Sequence, residues 1–156
     1  MNAPPPLCQQ VVPLDDGGAA DTVTLDYGAR LLRRKRLTSD TGTTFLVDLP
    51  RALSVEPGEA FQLDDGRLIA VEAASERLIE VSGDLPRLAW HIGNRHAPCE
   101  IGEGRLLILH DTVMARMLTT LGAVLREIHA PFRPEGGAYG LGRTMGHSHG
   151  EDRSDP

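Results

Sequence analysis

The residues best suited to chemistry in this chain are six histidines: His91, His96, His110, His129, His147 and His149, all in its second half. Neutral imidazole is a borderline ligand that suits nickel, zinc and copper, and it competes with protons near neutral pH. His147 and His149 stand two residues apart in Gly146-His147-Ser148-His149-Gly150, so both rings can reach one ion. The plain alternative for that pair is a solvated tail. Five positions separate His91 from His96, which on a continuous helix would diverge by about 140°. The two are therefore not expected to chelate one ion together.

Taken alone, His96 fits a helix-end or surface histidine better than a ligand. His110 precedes Asp111. A His-Asp pair on a loop is a weak metal site, and a capping role accounts for the aspartate equally well. His129 falls in an expected strand and reads as structural or surface. Cys99 lies three residues after His96, where a thiolate would favour soft metals, but a free cysteine more often behaves as a small apolar residue. No His-Glu-x-x-His string or nucleophile motif is present, so a metallohydrolase or other enzyme is not expected.

The elements that must position these residues fall into two kinds. Residues 1–20 are rich in Pro, Gly and Asp and are expected to form a mobile N-terminal extension. Residues 21–75 read as an all-β domain. Val23, Leu25 and Tyr27 alternate, as do Phe45, Val47 and Leu49, with the period of a half-buried strand. Asp64-Asp65-Gly66 between Phe61-Leu63 and Leu68-Val71 reads as a hairpin turn.

Residues 76–140 change character. A strand over Leu78 to Val81 leads to Asp84 as helix cap, with Leu85, Leu88, Ala89 and Ile92 on one helical face and Gly93-Asn94 at its end. Two short strands follow, near Glu100-Ile101 and over Leu106 to Leu109. Asp111 caps a second helix that buries Val113, Met114, Met117, Leu118 and Leu121 and stops at Gly122. Val124 to Ala130 closes the series. The order β-α-β-β-α-β is the ferredoxin-like motif, which makes the fold class α+β. Residues 141–156 are expected to be a flexible, histidine-containing tail.

Composition narrows the partners. A net charge of -6 argues against a general nucleic-acid binder. Stacking aromatics are scarce, with three Phe, two Tyr and Trp90. Arg33-Arg34-Lys35-Arg36 is the one basic run and reads chiefly as a solvated strand or loop face, with partner contact as the second reading. Neither a signal-peptide core nor a membrane-length apolar stretch is visible, so a cytoplasmic protein without membrane association is expected. The two cysteines, Cys8 and Cys99, do not suggest a disulfide framework.

Three strings resemble the UreE family of urease accessory proteins: His91-Ile92-Gly93-Asn94-Arg95-His96-Ala97-Pro98, His110-Asp111 leading into Val113-Met114 and Met117-Leu118, and Pro131-Phe132-Arg133-Pro134-Glu135-Gly136-Gly137-Ala138-Tyr139-Gly140. The likeness runs from about Asp21 to the tail and is weaker in the first half. It implies a β-domain that contacts protein partners and a ferredoxin-like metal-binding domain. A homodimer is also implied, whose principal nickel site pairs His96 of two subunits, with His147 and His149 of the tail completing it. His91 and His110 match positions able to form secondary sites.

By the same resemblance Ni²⁺ is cargo, delivered to the urease maturation complex with its accessory GTPase. Zn²⁺ and Cu²⁺ are expected competitors, because affinity order does not favour nickel over copper. The second reading is a nickel or zinc buffer, or a metal-responsive binding protein, without a delivery role. Two departures matter. Thr112 stands where some members carry a histidine, which weakens a secondary site at His110. The tail also offers two histidines where some members carry polyhistidine tracts, which favours delivery of few ions over storage.

Overall fold

The structure is a computed structural model in which residues 3–15 and 17–136 are described. It divides into two compact units, Met1–Ala74 and Ser75–Pro156. No helix among the described residues is long and apolar enough to cross a membrane.

The first unit is a six-stranded mixed sheet of β1 (Leu7–Pro13), β2 (Asp21–Leu25), β3 (Leu31–Thr38), β4 (Thr44–Ser54), β5 (Glu59–Leu63) and β6 (Leu68–Ala73), in the order β2-β6-β5-β1-β4-β3. One 3-10 turn, Gly28–Arg30, precedes β3. Alternation accounts for most of the strands: Phe45, Val47 and Leu49 of β4 are buried, while Thr44, Leu46 and Asp48 are partly exposed. Phe45 and Phe61 meet at 5.6 Å between ring centroids in a core otherwise built from Val, Leu, Ile and Cys8.

β1 corrects the expectation of a mobile start. It lies inside the sheet, antiparallel to β5 and parallel to β4, and Cys8 is fully buried. Its alternation is broken by an irregularity between Cys8 and Gln10, and one of its partners is a non-local parallel strand. A local hydrophobic period could not reveal either feature.

The basic run lies on β3, an edge strand, where Arg33 to Arg36 are all exposed. Only Arg34 makes an ion pair among the described residues, with Asp48 at 3.3 Å. Charges along an edge strand discourage pairing with another chain, so this run has a structural purpose without invoking a ligand.

The second unit contains β7 (Ser75–Ser82), α1 (Leu85–Asn94), β8 (Glu100–Gly102), β9 (Arg105–Leu109), α2 (Thr112–Thr120) and β10 (Val124–Pro131). Its sheet is antiparallel throughout, in the order β10-β7-β9-β8. This is the ferredoxin-like arrangement, and the fold is α+β. Ile79, Val81, Leu106 and Ile108 on the sheet pack with Leu88 and Ile92 of α1 and Met114 and Leu118 of α2. Both helices start on aspartate caps. Asp111 Oδ1 accepts from the Val113 and Met114 amides at 2.9 and 3.0 Å, and Asp84 Oδ1 accepts from the Arg87 amide at 3.5 Å.

Strand direction decides where the candidate residues gather. In an antiparallel β-α-β-β-α-β sheet the starts of β7 and β8 and the ends of β9 and β10 share one end. The last turn of α1 and the first turn of α2 return to that same end.

Candidate metal site

Each described histidine falls at this shared end. His91 is in the last turn of α1, His96 follows that helix, His110 follows β9, and His129 is near the end of β10. The fold thus collects residues that are up to 38 positions apart in the chain, counting from His91 to His129. His147 and His149 lie outside the described residues.

His96 has the most constrained backbone. Its φ is +57°, and no other non-glycine among the described residues has a positive φ. Its amide donates to the Gly93 carbonyl at 2.9 Å, and the Ala97 amide donates to the Ile92 carbonyl at 3.3 Å. This pair of bonds is the Schellman motif, which normally places glycine in the left-handed position. The end of α2 supplies the comparison within the same chain. There Gly122 has φ +90°, its amide donates to Thr119, and the Ala123 amide donates to Leu118. One motif ends both helices, with glycine in one and histidine in the other.

A left-handed non-glycine residue costs about 1 kcal/mol or more, and such residues concentrate at functional sites. His96 is partly exposed. The motif fixes its Cα beyond the helix and turns the chain toward Ala97 and Pro98. Gly93-Asn94 mark the helix end in the sequence, and α1 does end at Asn94, but the left-handed residue is His96. No glycine at that position signalled it.

His91 sits against Trp90, edge-on, with ring centroids 5.0 Å apart, and Trp90 is 62% exposed. His110 is partly buried, and its amide donates to the Arg77 carbonyl of β7 at 3.2 Å. His129 is exposed and pairs across the strands with Arg77. Glu127 is held below the usual carboxylate range mainly by its hydrogen bond from Arg77, and the charges of His110 and His129 add to this. His110, which follows β9, and His129, which shares β10 with Glu127, therefore both lie near the Glu127 carboxylate.

Cys99 contributes differently. Burial, reinforced by the charges of Glu100 and Glu135, pushes its thiol up to about 11. At neutral pH it is a thiol, not a ready thiolate ligand. Among the described residues no three His, Cys, Asp or Glu side chains come together to hold an ion.

The chain leaves β10 in a direction that bears on the site. The Arg133 amide donates to Glu100 Oε1 and the Glu135 amide to the Cys99 carbonyl, both at 2.8 Å. β10 and β8 are opposite edges of the sheet, so residues 132–135 cross this end from one edge to the other. Phe132 is fully buried. Residues 133–135 are thus held against Cys99 and Glu100 at the start of β8.

Two family models cover nearly the whole chain. The N-terminal domain of the UreE urease accessory protein matches residues 9–74, and its C-terminal domain matches residues 68–155. Proteins named urease accessory protein UreE are similar along most of their length. That of Rhodobacter capsulatus is 59% identical over 133 residues, covering 85% of each chain. That of Ruegeria pomeroyi is 61% identical over 132 residues, covering 84% of this chain and 89% of its own. The protein of Cereibacter sphaeroides is 54% identical over 134 residues, covering 86% and 74%.

Proposed function

Because this chain belongs to the UreE family of urease accessory proteins, we propose that it is a nickel metallochaperone whose homodimer binds Ni²⁺ between the His96 residues of two subunits. The observation that carries this reading is the left-handed His96. The chain retains a costly residue where glycine would end the helix more easily, which is sensible if the imidazole is needed there.

The dimer follows from coordination chemistry. One imidazole makes a poor site, but a two-fold axis turns a single position into a facing pair. Val113, expected on the buried face of α2 but 70% exposed in its first turn, adds apolar surface at the same end of the unit. Two imidazoles leave coordination positions open. From Gly136 to His147 the chain can span up to roughly 38 Å, so the tail imidazoles can supply further ligands. His91 and His110 are secondary positions in this reading. Ligands drawn from a tail exchange readily, which suits a protein that hands its cargo on to the urease maturation complex and its accessory GTPase. Zn²⁺ and Cu²⁺ would compete for the same imidazoles. Binding should weaken below about pH 6, where imidazoles take up protons.

Reconstituted urease activation at limiting nickel tests delivery. Wild-type protein should accelerate activation, and His96→Ala should reduce that acceleration severalfold. A protein that binds nickel tightly yet leaves activation unchanged or slower would be a buffer, and the delivery reading would fail.

A further inference from the structure

The basic run of β3 is larger in space than in sequence. Between Leu32 and Arg34 the pairing of β3 with β4 is irregular: Leu32 faces Leu53 and Arg34 faces Asp48, so residues 49–52 of β4 stand opposite Arg33 alone. Within that stretch Arg51 is exposed, which adds another cation to Arg33, Arg34, Lys35 and Arg36. The remaining basic residues of Met1–Ala74 are engaged elsewhere: Arg30 is fully buried, and Arg67 pairs with Asp65 at 2.8 Å. Among the described residues one carboxylate answers the exposed cations, that of Asp48 on Arg34. We propose that this edge of the first unit is a docking strand for an extended acidic segment of a partner protein, which adds alongside β3.

Edge protection explains charge on β3 itself but not the whole pattern. Arg51 lies on β4, which β3 already covers. The opposite edge of the sheet, β2, carries no cation at all. There the loop residue Asp40 lies against the strand: its amide donates to the Thr22 carbonyl at 2.8 Å, and its carboxylate accepts from the Thr22 and Thr24 hydroxyls. β3 has no such cover. Among the described residues no strand and no loop backbone bonds to its outer side.

The direction of the cations selects the occupant. Arg34 and Arg36 share the face of Asp48, while Lys35, between them, takes the face of Val47. A membrane or a nucleic-acid duplex laid on one face would meet only one row. A chain running beside β3 in the plane of the sheet meets both, and its main chain can bond to the free side of β3. Opposite charges paired across strands are favourable, and like charges oppose pairing. The same cations thus bar a second copy of β3 and select a strand of carboxylates. The chain's net charge of -6 sharpens the choice, because an acidic partner is repelled by the molecule as a whole and oriented here. The proposal concerns the first unit and does not rest on the nickel reading.

Fluorescence anisotropy with the metal-free, full-length chain tests it, using a labelled peptide of consecutive glutamates flanked by valine and threonine. We expect the peptide to bind, to lose affinity about tenfold or more in the double variant Lys35→Glu, Arg36→Glu, and to slow hydrogen exchange of the β3 amides. Its glutamine counterpart, and a peptide of equal charge interrupted by prolines, should bind far more weakly. These peptide comparisons need no variant of the chain, so they decide the matter even if the double reversal fails to fold. Failure of the glutamate peptide to bind overturns the proposal. Binding that survives the reversal, that the glutamine peptide matches, or that prolines leave unchanged overturns it equally. Vesicles of phosphatidylglycerol that bind where the peptide does not would assign the edge to a membrane surface instead. Each of these failures would leave the nickel reading intact.

Discussion

At the scale of single residues, His96 and Gly122 do the same structural work at the ends of the two helices, and only one of them is comfortable there. The difference yields a prediction independent of any metal. His96→Gly should stabilise the chain by about 1 kcal/mol in urea denaturation, because glycine enters the left-handed region without strain. His96→Ala should not, since alanine keeps the Cβ that makes the conformation costly. Equal stability of wild type and His96→Gly would remove the argument that this position trades stability for chemistry. His110 and Cys99 show why residue type alone misleads. Asp111, next to His110, spends Oδ1 on the cap of α2, and burial keeps Cys99 protonated.

At the scale of elements, the sheet of the second unit is tied together by Glu80 of β7. Its carboxylate accepts from Arg105 of β9 at 2.7 Å and from Arg126 of β10 at 2.9 Å. These bonds, that from Arg126 first, hold the Glu80 carboxyl below its ordinary value of 4.5. A carboxyl lowered in the folded state contributes stability above its ordinary pKa, and that contribution is lost as pH falls through the folded value. Glu80→Gln should therefore be less stable than wild type at pH 7. The gap should close as pH falls below 4.5, as measured by thermal unfolding across pH. A gap that persists unchanged into acid would mean that packing, not charge, is what Glu80 supplies. Elements of this unit were legible because each carries a local mark: Asp84 and Asp111 as caps, Gly122 as a stop, and Leu88-Ile92 on one helical face. β1 carried none. Its Pro-rich approach and interrupted alternation resemble a loop, and only its partners β4 and β5 make it a strand.

At the scale of the molecule, the sequence order of elements already determined that His91, His96, His110 and His129 would share one end, once the strands were paired antiparallel. What could not be read was the left-handed turn at His96, because it appears only when the hydrogen bonds to Gly93 and Ile92 are in place. The crossing of residues 132–135 was equally hidden, since it depends on Glu100 and Cys99 from the opposite edge. The central claim is that nickel sits on the two-fold axis between paired His96 residues. Symmetry distinguishes this from every rival placement: a site on the axis loads singly, while sites off it come in pairs. Native mass spectrometry at substoichiometric and then saturating nickel measures the count directly. The tightest ion is expected to bind at about one per dimer and to be lost in His96→Gly while the dimer mass is kept. Tight binding in pairs, or a first ion that His96→Gly retains, would contradict it.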